Sequence, residues 1–248
     1  MNHQFYVVLP SNGSMTLYPN NTCSKFKINL SSTLELNPEQ WEVGLAEIQF
    51  PGAFENIRKD KNRIAYLSGD TWVGYKVPRG FYENPKDLVE KLREIEHLHG
   101  ITFTYKETKK RTEISVPANC GIDFMDSDVG RYLGFDANTI ITDKNMLSPY
   151  ETSPFNGIHT LFVYSDIVGN QYVGDVKAPL LRSVPIKRNK KGYHCVVYDR
   201  PHFLSINRGL IQSIEIDIRD DTGEFMSFAA GRVIVTLVFN RRTAKFYD

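Results

Sequence analysis

Most of this chain alternates between apolar and polar residues. Across residues 214–219 the order is Ile, Glu, Ile, Asp, Ile, Arg. In an extended strand this sends Ile214, Ile216 and Ile218 to one face and Glu215, Asp217 and Arg219 to the other. The first face meets a core; the second meets water or a partner. The pattern recurs with Phe26, Ile28 and Leu30 set against Lys25, Lys27 and Asn29. Residues 232–240 leave little polar surface, which predicts a strand covered on both faces. Residues 41–50 change parity: Trp41, Val43 and Leu45 share one phase, Ile48 and Phe50 the other. A switch inside one run predicts a bulge near Ala46-Glu47. Further strands are expected at 5–9, 63–67, 72–77, 101–105, 113–116, 160–164, 180–186 and 194–197.

One segment keeps a different period. Leu88, Val89, Leu92, Ile95 and Leu98 recur near 3.6 residues. Asn84 suits the N-cap, Pro85 the first helical position, and Asp87 the first turn. Gly100 closes the run, so a helix is predicted over 85–99. The strands at 101–105 and 113–116 form a hairpin after it, and residues 131–135 close that unit with a short turn. The helix and hairpin read as an insertion at about 80–135 within a single domain spanning 1–248. Many short strands with turn chemistry between them, such as residues 220–223, predict an all-β sandwich. The stretch 136–156 is expected to be one long loop.

Composition excludes several functions. A net charge of +1 offers no global field for nucleic acid. The dense basic stretch at 187–191 reads as a solvated loop. The first ten residues lack the pattern of a secretory signal. No stretch approaches the roughly 18 apolar residues of a membrane-spanning helix. Three scattered cysteines, Cys23, Cys120 and Cys195, imply no disulfide framework and read as reduced thiols. Without a signal, the sequons at Asn12, Asn20 and Asn29 are chance matches.

No catalytic set emerges. The six histidines are scattered, and His97 and His99 lack the i, i+4 spacing that holds zinc. Asp123, Asp126 and Asp128 lack the central Gly and terminal Glu of a calcium loop, so they read as a solvated loop. Asp220-Asp221 reads as a turn. Cys195 and His194 are adjacent on a strand and point to opposite faces, the wrong geometry for a nucleophile and base. Nucleotide loops and a serine elbow are missing. The expectation is a non-enzyme with no catalytic, cofactor-binding or metal-binding residue.

Several phrases then carry a resemblance. They are FYVVLPSNGSM at 5–15, YPNNT at 18–22, WEVGLAEIQFP at 41–51, VGDVKAPLLR at 173–182, PHF at 201–203, IEI at 214–216, DDTG at 220–223 and GRVIVTL at 231–237. Together, and in this order, they resemble the Maverick/Polinton minor capsid (penton) protein family. The resemblance implies a single jelly roll that forms homopentamers at icosahedral vertices and contacts a double jelly-roll major capsid protein. It implies a virion component made in the host cytoplasm, with assembly there or in the nucleus. It implies no cofactor, no specific nucleic acid and no membrane. The polar face of 214–219, the loop 136–156 and a C-terminal arm at 241–247 are candidate subunit contacts. The alternative is a jelly-roll binding module reused by a host for glycan or receptor recognition, which asks for an exposed aromatic-lined pocket. A cupin-like enzyme would need histidines clustered on facing strands, and the six here are dispersed.

Overall fold

A computed structural model describes residues 3–95, 100–153, 158–186 and 192–242. The chain forms two compact units, Met1–Ala53 with Ile158–Asp248, and Phe54–Gly157. The first unit opens with β1 (Gln4–Pro10), β2 (Lys25–Glu35) and β3 (Trp41–Pro51). The second unit holds β4 (Arg63–Ser68), β5 (Thr71–Lys76), α1 (Pro85–Arg93), β6 (Thr102–Lys106), β7 (Arg111–Ser115) and β8 (Gly121–Asp123). It ends with α2 (Asp128–Tyr132), β9 (Ile140–Thr142) and β10 (Asn145–Leu147). The chain returns to the first unit with β11 (Thr160–Ser165), β12 (Gln171–Val173), β13 (Val176–Ala178) and β14 (Leu180–Pro185). There follow β15 (Tyr193–Val197), β16 (Leu204–Ser205), β17 (Leu210–Arg219) and β18 (Ile234–Arg241).

The first unit is a jelly roll by its strand order. One sheet runs β1-β18-β3-β15, with β16 also on β3; the other runs β14-β11-β17-β2. Leave aside the short β12, β13 and β16, and number the other eight by appearance. The first sheet then reads first, eighth, third, sixth; the second reads fifth, fourth, seventh, second. All these pairs are antiparallel. That interleaving is the two-sheet jelly-roll arrangement. The alternating faces meet inside: Leu9, Val43, Leu45, Ile48, Val235 and Leu237 from one sheet are fully buried, as are Leu161, Val163, Ile214, Ile216 and Ile218 from the other.

The parity switch in β3 is a bulge. Thr236 faces Glu47 and Leu237 faces Leu45, so Ala46 is skipped in the ladder to β18. Its carbonyl instead accepts from the Tyr198 amide at 2.8 Å. The extra residue lets Leu45 and Ile48 both reach the core.

The second unit holds two small sheets, β10-β7-β6 and β5-β4-β8-β9. They share a core with both helices that includes Ile57, Leu88, Phe103, Ile114, Phe124 and Tyr132. The Asn84 side chain accepts from the Lys86 amide at 3.0 Å and caps α1. Leu88, Val89 and Leu92 form the buried face of α1. The helix stops at Arg93, short of the expected 99, and residues 96–99 lie outside the described residues. Apolar phase persists at Ile95, but the Arg93 guanidinium grips the Phe103 carbonyl at 2.6 and 3.0 Å. That ties the last turn to β6. The expected hairpin is β6–β7, joined through a 3-10 turn at Glu107–Lys109. The helix and hairpin lie in a unit that also takes in β4 and β5.

The stretch 136–156 departs from the expected loop. It contains β9, paired with β8, and β10, paired with β7. Strands of three residues are too short to register a period of two; a neighbouring backbone edge recruits them. The acidic cluster also departs from a solvated loop. Asp128 is fully buried and takes the Arg58 Nε at 2.8 Å, its Nη2 at 2.9 Å and its backbone amide at 3.0 Å. Asp126 takes Lys61 at 2.8 Å and Arg131 at 2.5 Å, and the Lys61 hydrogen bond holds its carboxyl below the usual range. The cations that make this an ion-pair network lie at 58, 61 and 131, remote from or outside the acidic triplet, so its spacing did not disclose them.

These contacts set three expectations for stability. Asp128→Ala strands the half-buried Arg58 and should cost about 3–5 kcal/mol, whereas exposed Asp126→Ala should cost less than about 1 kcal/mol by denaturant melts. At Gly134 (φ +86°) an added Cβ would run into the Tyr150 carbonyl, while at Gly69 (φ +63°) it meets open space. Gly134→Ala should therefore cost about 3 kcal/mol, and Gly69→Ala only the left-handed strain of about 1–2 kcal/mol. Finally, the Tyr132 hydroxyl donates to the Tyr82 carbonyl at 2.8 Å, and burial raises its pKa from 10.0. A raised folded-state pKa gives stability that is complete below the unfolded value and is lost as pH climbs above it. Urea melts should show this contribution intact up to about pH 9 and lost progressively as pH rises through about 10 and above, and Tyr132→Phe should remove that part of the dependence.

Candidate assembly surface

The outer face of the β1-β18-β3-β15 sheet follows from its registers. Val8 lies opposite Thr236, Thr236 opposite Glu47, and Glu47 opposite Val197. The next row is Pro10, Ile234, Gln49 and Cys195. On the other side Tyr6 faces Val238, which faces Gly44. Since Leu9, Val235 and Ile48 point inward, these rows point outward; in the third row only Tyr6 reaches the surface, because Val238 is fully buried and Gly44 is covered by Pro201 and His202. Tyr6 is 62% exposed, Val8 57%, Tyr193 55% and Val197 61%. In these rows the only ionised group is Glu47, and it is engaged by the Gln49 amide at 2.5 Å and the Cys195 thiol at 3.6 Å. The result is a nearly uncharged band across a sheet face, with exposed apolar side chains at both ends.

The opposite sheet presents a different outer face. Lys25 and Lys27 on β2 stand beside Asp217 and Glu215 on β17. Lys25 pairs with Glu215 at 3.3 Å, and Arg219 with Asp217 at 3.5 Å. This is the polar face expected at 214–219, and its charges are matched within the unit. Two open grooves flank Lys25. One is bordered by Thr22, Phe225, Met226 and Phe228, the other by Tyr18, Lys27 and Glu215. The Phe225 and Tyr18 rings already carry cations. The Arg219 guanidinium sits 4.1 Å and the Lys25 ammonium 5.6 Å from the Phe225 centroid, and Lys27 lies 5.6 Å from that of Tyr18.

The two sheets also differ at their edges. The outer edge of β2 is closed by the loop that precedes it. Asn21 accepts from the Lys27 amide through Oδ1 at 2.9 Å and donates from Nδ2 to the Lys27 carbonyl at 2.9 Å. Ser14 Oγ accepts from the Asn29 amide at 2.9 Å. A side-chain amide thus stands in for a neighbouring strand. Strand β1 has no such cover among the described residues; it pairs with β18 alone.

The residues singled out from the sequence do not gather. His194 is buried and stacks on Phe50 with centroids 5.0 Å apart, while Cys195 is exposed, so the two do point to opposite faces. Asp220 Oδ1 accepts from the amides of Thr222 and Glu224, at 2.9 and 3.0 Å, as a turn residue does. Among the described residues no group of three or more His, Cys, Asp and Glu could hold a metal ion. The basic stretch 187–191, His97, His99 and positions 243–247 of the C-terminal arm lie outside the described residues. No described helix is long and apolar enough to cross a membrane. The uncharged band was not singled out from the sequence. Its signal is present in QFYVVLP at 4–10, but the outward direction of Tyr6 and Val8 depends on strand order.

No family model matches the chain, and no curated protein matches it. Among solved structures, the crystal structure of the selenomethionine-labelled mavirus penton protein is similar at a TM-score of 0.49 and 13% identity, over 97% of this chain and 99% of that one. At that score the likeness carries no argument, and the jelly-roll assignment rests on strand order.

Proposed function

We propose that this chain is a structural minor capsid (penton) protein. Its copies associate into homopentamers at icosahedral vertices of a virion and contact a double jelly-roll major capsid protein. The observation that carries the reading is the uncharged outer band with Tyr6 and Val8 at one end and Tyr193 and Val197 at the other. Two different apolar ends on one face suit a head-to-tail contact, the kind that closes into a ring. The jelly-roll strand order and the phrases that resemble the Maverick/Polinton minor capsid family support it. A net charge of +1 lets several copies meet without strong mutual repulsion. The reading assigns the chain no reaction, no cofactor and no nucleic acid. A glycan-binding role draws little from the grooves at Lys25, because the Phe225 and Tyr18 rings are engaged by the chain's own cations.

Native mass spectrometry over a concentration series tests the proposal. The expected species is a pentamer. Val8→Lys and Val197→Lys should each raise the concentration for half-assembly by at least about tenfold, roughly 1.4 kcal/mol, with melting temperature little changed. A chain that stays monomeric at high concentration and fails to bind a major capsid protein would sink the reading.

A further inference from the structure

The backbone of β1 has a direction to its unsatisfied groups. The Ser11 amide donates to the Val233 carbonyl at 2.8 Å, and the Arg241 amide donates to the His3 carbonyl at 2.8 Å. The register between these two bonds is unbroken from Gln4↔Asn240 to Pro10↔Ile234. In an antiparallel ladder, the residues that bond their partner alternate with those that bond outward. His3 and Ser11 bond β18, so Phe5, Val7 and Leu9 do as well. The amides and carbonyls of Gln4, Tyr6 and Val8 therefore point away from the sheet, where the described residues supply no partner. Their side chains are the exposed ones.

Chains usually protect such an edge with charge, a bulge or a cover. Here β2 is covered by Asn21 and Ser14. Strand β1 has neither a bulge nor an Asp, Glu, Lys or Arg, in a chain of which 24% is charged. Only Pro10, at its end, lacks an amide. Among the described residues the edge is thus open over three positions, uncharged, and continuous with the outer band.

We propose that β1 receives an extended segment of a second copy of this chain along this edge. The added strand bonds the amides and carbonyls of Gln4, Tyr6 and Val8, as in strand addition. A second copy is the fitting occupant on charge. The exposed surface at the far end of the same band, Tyr193 and Val197, is equally uncharged, so like copies meet there without placing charge against charge. The inference rests on the reading that copies of this chain assemble, and specifies which backbone groups join them.

Residue-resolved amide hydrogen exchange on the full chain, assembled and diluted, tests it. The amides of Gln4, Tyr6 and Val8 should exchange rapidly in the monomer and at least about tenfold more slowly in the assembly. Those of Phe5, Val7 and Leu9 are bonded to β18 and should be protected in both states. An assembly in which Gln4, Tyr6 and Val8 exchange as in the monomer overturns the edge contact while leaving assembly intact. A chain that never assembles overturns both the edge contact and the assembly reading.

Discussion

Strand β18 lies between β1 and β3 and pairs with both along its length. Every other feature of the first sheet follows from that insertion. It sets the outward face of β1, places the bulge at Ala46 and buries Val235, Leu237 and Phe239 against the core. It also joins residues more than 220 positions apart, as in the bond from Val233 to the Ser11 hydroxyl. Contacts of such separation carry a loop-closure cost before they return any burial. The second unit is built from closer neighbours and has its own core.

Much of the sandwich was legible because its signals are local. Alternation at 214–219 placed three isoleucines inward, and they are fully buried. The parity change at 41–50 located the bulge near Ala46-Glu47, since a skipped position must shift the phase of everything after it. Asn84 and Pro85 located the start of α1, where capping chemistry is carried by side chains in sequence. Less legible were features decided by partners far along the chain. The three-residue strands β9 and β10 exist because β8 and β7 offer them edges. The tie between the last turn of α1 and β6 joins Arg93 to Phe103, ten positions apart. Asp128 looked solvated because its partner Arg58 is seventy positions away.

The same distinction applies to the candidate surface. Nothing local separates Tyr6 and Val8 from the alternate side chains of any other strand. Only the sheet order makes β1 terminal, and only the registers align Val8 with Thr236, Glu47 and Val197. The charged face of the other sheet was readable, since its charges alternate in sequence. Its pairing of Lys25 with Glu215 was not. Electrostatics thus sets one self-matched face against a nearly uncharged band on the other, with Glu42 and Arg242 paired beyond that band. The band can be dehydrated at small cost, because few ions must lose their hydration.

The Asn21 side chain acts as a one-residue strand, and this restricts the position in a way its surface location conceals. It must supply a donor and an acceptor in one plane at the reach of a single methylene. Aspartate keeps the shape but loses the donor; serine is too short to span both groups; glutamine overreaches. Slow hydrolysis of the amide would make the aspartate without any mutation. One residue's chemical ageing would then unfasten the loop that rims both grooves at Lys25.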